Sequence, residues 1–381
     1  MDKKNKICIG ILGGGQLARM SAIQAYELGL DIAIIEKEFN SPAGQLTKFE
    51  YTGWMDDENV IAEFCNKADV VTLENEFIES EKLRHIEEHY HKKVIPSSKT
   101  IGLIQDKFIQ KTTLKNNNIP VPKFIEVTSK SSYEEIKEVL GERFLLKSRV
   151  MGYDGYGNAS VSNENEFREA YGRLSKRSDK LMAEAFVDFD KELAVMIVRT
   201  SKEIDAYPVV ETIQENHICK IIIAPAEVDE SIIQKVKRMA IDCVKAVEGY
   251  GLFGIELFLT KKNKILINEM APRPHNSGHY TIEGCITPQF ENHIRAVLDL
   301  PLGSTKMIKK YAVMINLLGK KTEDDKMKIY NECLKHKDVH LHIYGKASSR
   351  LGRKMGHITI VGNDLNKILS KAKSIEEKIN L

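Results

Sequence analysis

Two glutamates and one polar loop carry the densest chemistry in this chain. Glu256 lies inside the apolar run GLFGIELFLT (251–260), and Glu269 lies near the end of KILINEMA (264–271), beside Asn268. The short polar turn KKNK joins the two runs, so they read as an antiparallel pair whose carboxylates can face each other. Two buried like charges repel and push each other's pKa upward. A divalent cation relieves that, and Mg²⁺ held by few carboxylates plus nucleotide phosphates suits such a pair. Just beyond, Arg273, His275, Asn276 and His279 crowd a loop constrained by proline and glycine. That density of polar groups is poor core material and reads as a reaction site.

Two glycine-rich loops could cradle phosphates. In GILGGGQLAR (10–19), Gly13, Gly15 and Ala18 fit G-x-G-x-x-A, and Glu36 ends the next apolar run. A dinucleotide with its ribose on Glu36 is one reading. The other is a tight strand-to-helix turn with an anion-friendly helix N-terminus and no dinucleotide. In KSRVMGYDGYGN (147–158), Lys147 precedes Gly152, Gly155 and Gly157, a point charge before a backbone able to cover phosphates. Further on, EAFVDFDKE (184–192) offers Glu184 or Glu192 to a ribose and the backbone of Phe186 and Val187 to a base. A solvated strand edge explains that spacing equally well.

The elements that must position these groups alternate in kind. KICIGIL, DIAIIE, ADVVTLE and KKVIP read as strands with helices between them, which predicts a parallel α/β unit. NNNIPVPKFIEV (116–127) reads as a connector. After it, RFLLKSR, KLMAEAF, KELAVMIVRT and EIDAYPVVE predict strands. Ile232, Val236, Met239, Ala240, Cys243 and Val247 then recur at helical spacing, so this unit is α+β. A third piece follows DLPLGS, with strands YAVMINLLG, VHLHIYG and GHITIVG and a lysine-rich terminal helix.

The 381 residues predict two or three domains. A net charge of +2 gives no reason to expect nucleic acid or an anionic membrane. No apolar run approaches the roughly 18 residues of a membrane span, and the first apolar run dissolves into the glycine loop. Six cysteines without a CxxC pair argue against a zinc site or a redox dithiol built on them. A cytoplasmic protein is expected.

GILGGGQLARM, IQDKFIQK, GYDGYGN, NEMAPRPHNSGHYTIEGC, AVMINLLG and HLHIYGKASSRLGRKMGHITI run in order through nearly the whole chain. On these stretches the sequence resembles the ATP-grasp enzymes and, among them, the N5-carboxyaminoimidazole ribonucleotide synthase family. The resemblance implies a Rossmann-like N-terminal domain of the biotin carboxylase N-domain kind (1–104), an ATP-grasp domain (105–304) with a mobile lid near 120–187, and a small β-rich C-terminal domain (305–381). It implies carboxylation of 5-aminoimidazole ribonucleotide with ATP and bicarbonate, through carboxyphosphate, in purine biosynthesis.

By the same resemblance, ATP falls to Lys107, Lys147, Gly152, Tyr153, Asp154, Gly155, Tyr156, Gly157, Asn158, Glu184, Ala185, Phe186, Val187, Glu192, Gln214, Asn268 and Glu269. Mg²⁺, or Mn²⁺ in its place, falls to Glu256 and Glu269. The ribonucleotide falls to Gly15, Gln16, Leu17, Glu74, Glu76, Tyr153, Lys346, Arg353 and Lys354, so the first glycine loop serves a ligand other than NAD. The reaction centre falls to Asp154, Arg273, His275 and Asn276. The implied partners are these small molecules, a second copy of the chain in a homodimer, and a separate mutase that takes the product.

The chain departs from the family pattern at Tyr156 (usually basic), Asn158 (usually Gln), Gln214 (usually His), Phe77 (usually Asn) and Lys107 (usually Arg). Another ATP-grasp ligase, such as a formate-dependent purine transformylase, is one alternative. A non-catalytic nucleotide-binding homologue is another. An NAD(P)-dependent oxidoreductase would leave Lys147, Glu256 and Glu269 without roles.

Overall fold

The structure is a computed structural model that describes residues 6–150, 157–176, 178–216, 218–320 and 325–381. Five strands come first: β1 (Cys8–Leu12), β2 (Asp31–Glu36), β3 (Glu50–Thr52), β4 (Val70–Leu73) and β5 (Lys93–Val94). They form a parallel sheet in the order β3-β2-β1-β4-β5. Ile9, Ile11, Ile32 and Ile34 pack on one face, and Leu12, Ala33, Ile35 and Val71 on the other, so helices cover both faces. The strand order reverses between β1 and β4, which opens a crevice at their carboxyl ends. The first glycine loop and Glu74 both emerge there.

A second, antiparallel sheet is built from β6 (Phe124–Val127), β7 (Phe144–Ser148), β8 (Asn158–Val161) and β9 (Leu181–Ala185), in the order β6-β9-β7-β8. It buries Phe144, Leu146, Leu181 and Ala183 against helices Tyr133–Leu140 and Glu164–Leu174. Its connection to the next sheet is the short stretch 186–188.

The third sheet is continuous through the rest of the chain. Its strands are β10 (Phe189–Arg199), β11 (Ile204–Ala206), β12 (Val210–Glu215), β13 (Ile218–Ala224), β14 (Gly251–Thr260), β15 (Ile265–Ala271), β16 (Tyr311–Leu318), β17 (Val339–Ile343) and β18 (Lys354–Gly362). The order is β15-β14-β10-β12-β13-β16-β18-β17, with β11 on β10. The run 203–211 therefore holds two strands, not one. Pro208 lacks the N–H a ladder needs, and the register against β10 shifts by one residue between the two strands. The three C-terminal strands join this sheet through β13 and β16. Helix Glu230–Ala246 covers one part of it, and helix Leu365–Glu376 the part nearer the C-terminus. No disulfide joins any cysteine pair among the described residues, and Cys219 alone is partly exposed.

Candidate active site

The floor of the site is the β14–β15 pair. Glu256 stands opposite Glu269, and the register slips by one residue next to them. The slip leaves Asn268 as a bulge residue, which re-aims its side chain. Its Nδ2 then lies 3.5 Å from Glu256 Oε2. Glu192 on β10 is two residues from Ala194, the partner of Glu256, so it shares the same face. Burial, Glu269 and Glu192 together push the Glu256 carboxyl up to about 7. Burial acts on Glu269 in the same direction, but Lys107, 2.6 Å away, overrides it and holds Glu269 below the usual carboxylate range.

A lysine layer lies between this floor and the small sheet. Helix Lys107–Asn116 is capped by Asp106, whose carboxylate accepts from Phe108 and Ile109 amides and from Arg149. Lys107 and Lys111 are one turn apart on that helix. Lys111 donates to the Asn268 carbonyl (2.8 Å) and pairs with Glu184 (2.6 Å). Lys147, ending its strand run on β7, pairs with the other Glu184 oxygen at 2.7 Å. Burial opposes ionisation of Glu184, yet the two lysines win and pull its pKa to about 2. This corrects the expectation of a solvated strand edge at Glu184. The side chain is 1% exposed and bridges two lysines.

The reaction loop crosses above. Gly254 lets it approach β14, since a Cβ there would lie 2.5 Å from His275 Cβ. His275 Nε2 is 3.5 Å from Glu256 Oε1. Burial, then Arg273 and Lys354, push the His275 pKa down to about 3, so its ring is neutral. Both side-chain atoms of Asn276 are buried without a hydrogen-bond partner. Arg273 forks onto Glu76, Nε to Oε2 at 2.5 Å and Nη2 to Oε1 at 3.0 Å.

The crevice of the parallel sheet supplies the far wall. Glu74 accepts from the Gly15 amide and, at 3.0 Å, from the Leu17 amide. Burial still holds Glu74 above its ordinary pKa. Glu36 accepts from the Gly14 amide at 2.9 Å. The loop's donors therefore already serve carboxylates of the chain itself, and a Cβ on Gly15 would lie 2.3 Å from Glu74 Oε1. That argues against the dinucleotide reading, because the amides that would bind a pyrophosphate already donate to Glu74 and Glu36. Gln16 is half-buried, while Leu17 packs with Met20, Phe290 and Tyr344. This cluster joins all three parts of the chain. From the C-terminal strands, Lys346 donates to the Lys354 carbonyl (2.7 Å) and Arg353 to the Ser348 carbonyl (2.7 Å). The charge of Lys346 acts on Glu74, and that of Lys354 on Glu256 and His275.

The stretch between β9 and β10 places Ala185 and Val187 half-buried and Phe186 exposed, its ring 3.8 Å from the Arg143 guanidinium. Gln214 is half-buried on β12, and Asn158 opens β8 directly after Gly157, with Asn158 Oδ1 buried and unpartnered. Gly152, Tyr153, Asp154, Gly155 and Tyr156 lie outside the described residues. Sequence reasoning missed Lys111 and Gln289. Gln289 is fully buried. It accepts from the His275 amide (3.0 Å), donates to the His275 carbonyl (2.8 Å) and meets His279 Nδ1 (3.1 Å). The i,i+4 spacing of Lys107 and Lys111 could have revealed the first. No local spacing could have revealed the second.

A small antiparallel sheet beside a larger one, with lysines between them and paired glutamates on the larger floor, is the ATP-grasp arrangement. The ATP-grasp domain model matches residues 112–290. The ribonucleotide synthetase preATP-grasp model matches 6–105, and the phosphoribosylaminoimidazole carboxylase C-terminal domain model matches 312–371. The N5-carboxyaminoimidazole ribonucleotide synthase of Staphylococcus aureus is 35% identical, over 94% of this chain and 94% of its own. The phosphoribosylaminoimidazole carboxylase of Ogataea methanolica is 39% identical over 98% of this chain, which spans 69% of that longer protein. Carboxyaminoimidazole ribonucleotide synthase from Aspergillus clavatus, solved with ATP, superposes with a TM-score of 0.91 at 35% identity, covering 98% of this chain and 99% of its own. The same enzyme solved with ADP and 5-aminoimidazole ribonucleotide gives 0.90 at 34%, covering 98% and 100%. The chain belongs to the N5-carboxyaminoimidazole ribonucleotide synthase family of ATP-grasp enzymes.

Proposed function

We propose that this chain carboxylates the exocyclic amine of 5-aminoimidazole ribonucleotide, using ATP and bicarbonate, in purine biosynthesis. One observation carries the reading. Glu256 and Glu269 face each other beneath Lys107 and Lys147, while the unpartnered Asn276 and the neutral His275 lie directly beyond.

A bicarbonate oxygen attacks the γ-phosphorus, the bond to ADP breaks, and carboxyphosphate forms. The amine nitrogen then attacks its carbon, phosphate leaves with the C–O electron pair, and the amine gives up a proton. Lys107 and Lys147 spread the charge of the transferring phosphoryl group. Asn276 orients bicarbonate with the two atoms that lack partners. Arg273 exchanges Glu76 for the anionic intermediate, which its fork of donors fits. Asp154 or His275 is the group assigned to receive the amine proton. Gly15, Gln16, Leu17, Glu74, Glu76 and Tyr153 are assigned to the ribonucleotide, with Lys346, Arg353 and Lys354 on its phosphate.

The donor set fits Mg²⁺ or Mn²⁺. Glu256 and Glu269 offer hard oxygens, and the nearest polar contacts of Glu256 are Asn268 and an uncharged imidazole. Bound there with the nucleotide, the ion would neutralise phosphate charge. The homodimer and the separate mutase that consumes the product belong to the same proposal. ADP release that is stimulated by the ribonucleotide, with a carbamate product in step, tests it. ADP release indifferent to the ribonucleotide would refute the acceptor.

A further inference from the structure

A second constellation lies on the outer surface of the N-terminal parallel-sheet unit, on two helix ends. Helix Glu58–Lys67 begins at Glu58, fixed by the Asp57 carboxylate accepting from the Asn59 and Val60 amides. Helix Ser80–His89 carries His85 and His89 one turn apart, so both rings leave the same face. The rings lie almost parallel, 9° apart with centroids 4.8 Å apart. His85 Nε2 is 3.1 Å from Glu58 Oε1. One ligand atom from each of Glu58, His85 and His89 falls within 4.8 Å of the others.

Tyr90 organises the three. Its ring stands edge-on to both imidazoles, 5.6 Å from His85 and 4.8 Å from His89. Its hydroxyl donates to Glu58 Oε1. One tyrosine thus orients both imidazoles and the carboxylate, as the outer partners of a metal site do. Two imidazoles and one carboxylate on rigid helix ends form a three-ligand set with open positions for water, the donor chemistry of zinc and its transition-metal neighbours. Nothing in the proposed carboxylation uses these residues.

We infer that Glu58, His85 and His89 bind a divalent transition-metal ion, Zn²⁺ being the fitting occupant, and that the ion clamps the start of one helix to the end of the other. The site is separate from the Glu256–Glu269 pair.

Zinc titration of the full chain by calorimetry, with Mg²⁺ in excess to cover the carboxylate pair, tests this. One stoichiometric zinc is expected. Outer partners alone change metal affinity by about 10–100-fold, so losing a ligand in His89→Ala should weaken binding at least about tenfold. The double variant His85→Ala/His89→Ala should lose the equivalent altogether, and Tyr90→Phe should weaken it while keeping the stoichiometry. Zinc should raise the melting temperature of the unaltered chain and not that of the double variant. Both histidines lie at the surface, so the variants should fold and make ADP without zinc at the unaltered rate. Equal zinc uptake by the double variant would overturn the inference, as would a chain that takes up no stoichiometric zinc.

Discussion

At the scale of single residues, the site is an arrangement of charges that hold one another. Glu269 has a lysine within 2.6 Å and stays ionised, whereas Glu256 faces two carboxylates and is pushed to about 7. We expect Glu269→Gln to abolish ATP turnover while circular dichroism stays unchanged. Unaltered turnover would remove it from the site. Glu256 also makes a prediction about pH. Its folded pKa lies above the ordinary carboxyl value of 4.5, so folding retains a proton that the unfolded chain has released. The stability this contributes is present below pH 4.5 and is lost as pH rises through about 7. Urea unfolding of Glu256→Gln, without ligands, should therefore show the variant gaining on the unaltered chain between pH 5 and pH 7.5. A constant difference would place the strain elsewhere. Gln289 is the residue-scale surprise. Gln289→Met keeps its volume and removes its grip on His275, so carboxyphosphate should escape. ADP release should then continue while carbamate product falls, a change in coupling that simple destabilisation would not produce.

At the scale of elements, the sequence was legible wherever a local pattern carried the information. The apolar runs of β1, β2, β14 and β15 stand where their spacing placed them, and the short KKNK turn did bring Glu256 opposite Glu269. IQDKFIQK held more than was read from it. Asp106 caps the helix, and Lys107 and Lys111 share one face. What the sequence hid were contacts between distant segments. Glu184 looks like a solvated edge until Lys111, 73 positions earlier in the numbering, is folded against it. The glycine loop looks like a dinucleotide site until its amides are found to donate to Glu74 and Glu36. Gly254 is legible only once the reaction loop lies above it. Displacing a reacting group by about 1 Å can cost 100-fold in rate, so Gly254→Ala should lower kcat by about that factor. Nucleotide binding should survive, because the atoms nearest a Cβ at Gly254 all belong to His275. Loss of both together would show that the whole floor had shifted.

At the scale of the molecule, one sheet runs from the acidic floor to the C-terminal strands. The three C-terminal strands read correctly as strands, but nothing in their sequence says that β16 pairs with β13. Ile221 and Ile223 of β13 belong to the same apolar cluster as Val313, Ile315, Ile358 and Ile360. Removing residues 305–381 would leave β13 as a long, exposed apolar edge. We expect that truncation to be insoluble when expressed. A soluble, cooperatively folding product would show the C-terminal part to be an accessory. The proposed site would likewise exist only at this scale: of its assigned residues, Glu74 and Glu76 come from the first part, Arg273 and His275 from the second, Lys346 and Arg353 from the third. The measurement that tests this convergence most directly is ADP release by the full chain with Mg-ATP and bicarbonate, with and without 5-aminoimidazole ribonucleotide. The account predicts strong stimulation, with phosphate and a carbamate product appearing in step with ADP. ADP formed at the same rate without the ribonucleotide, and no carbamate with it, would contradict the account.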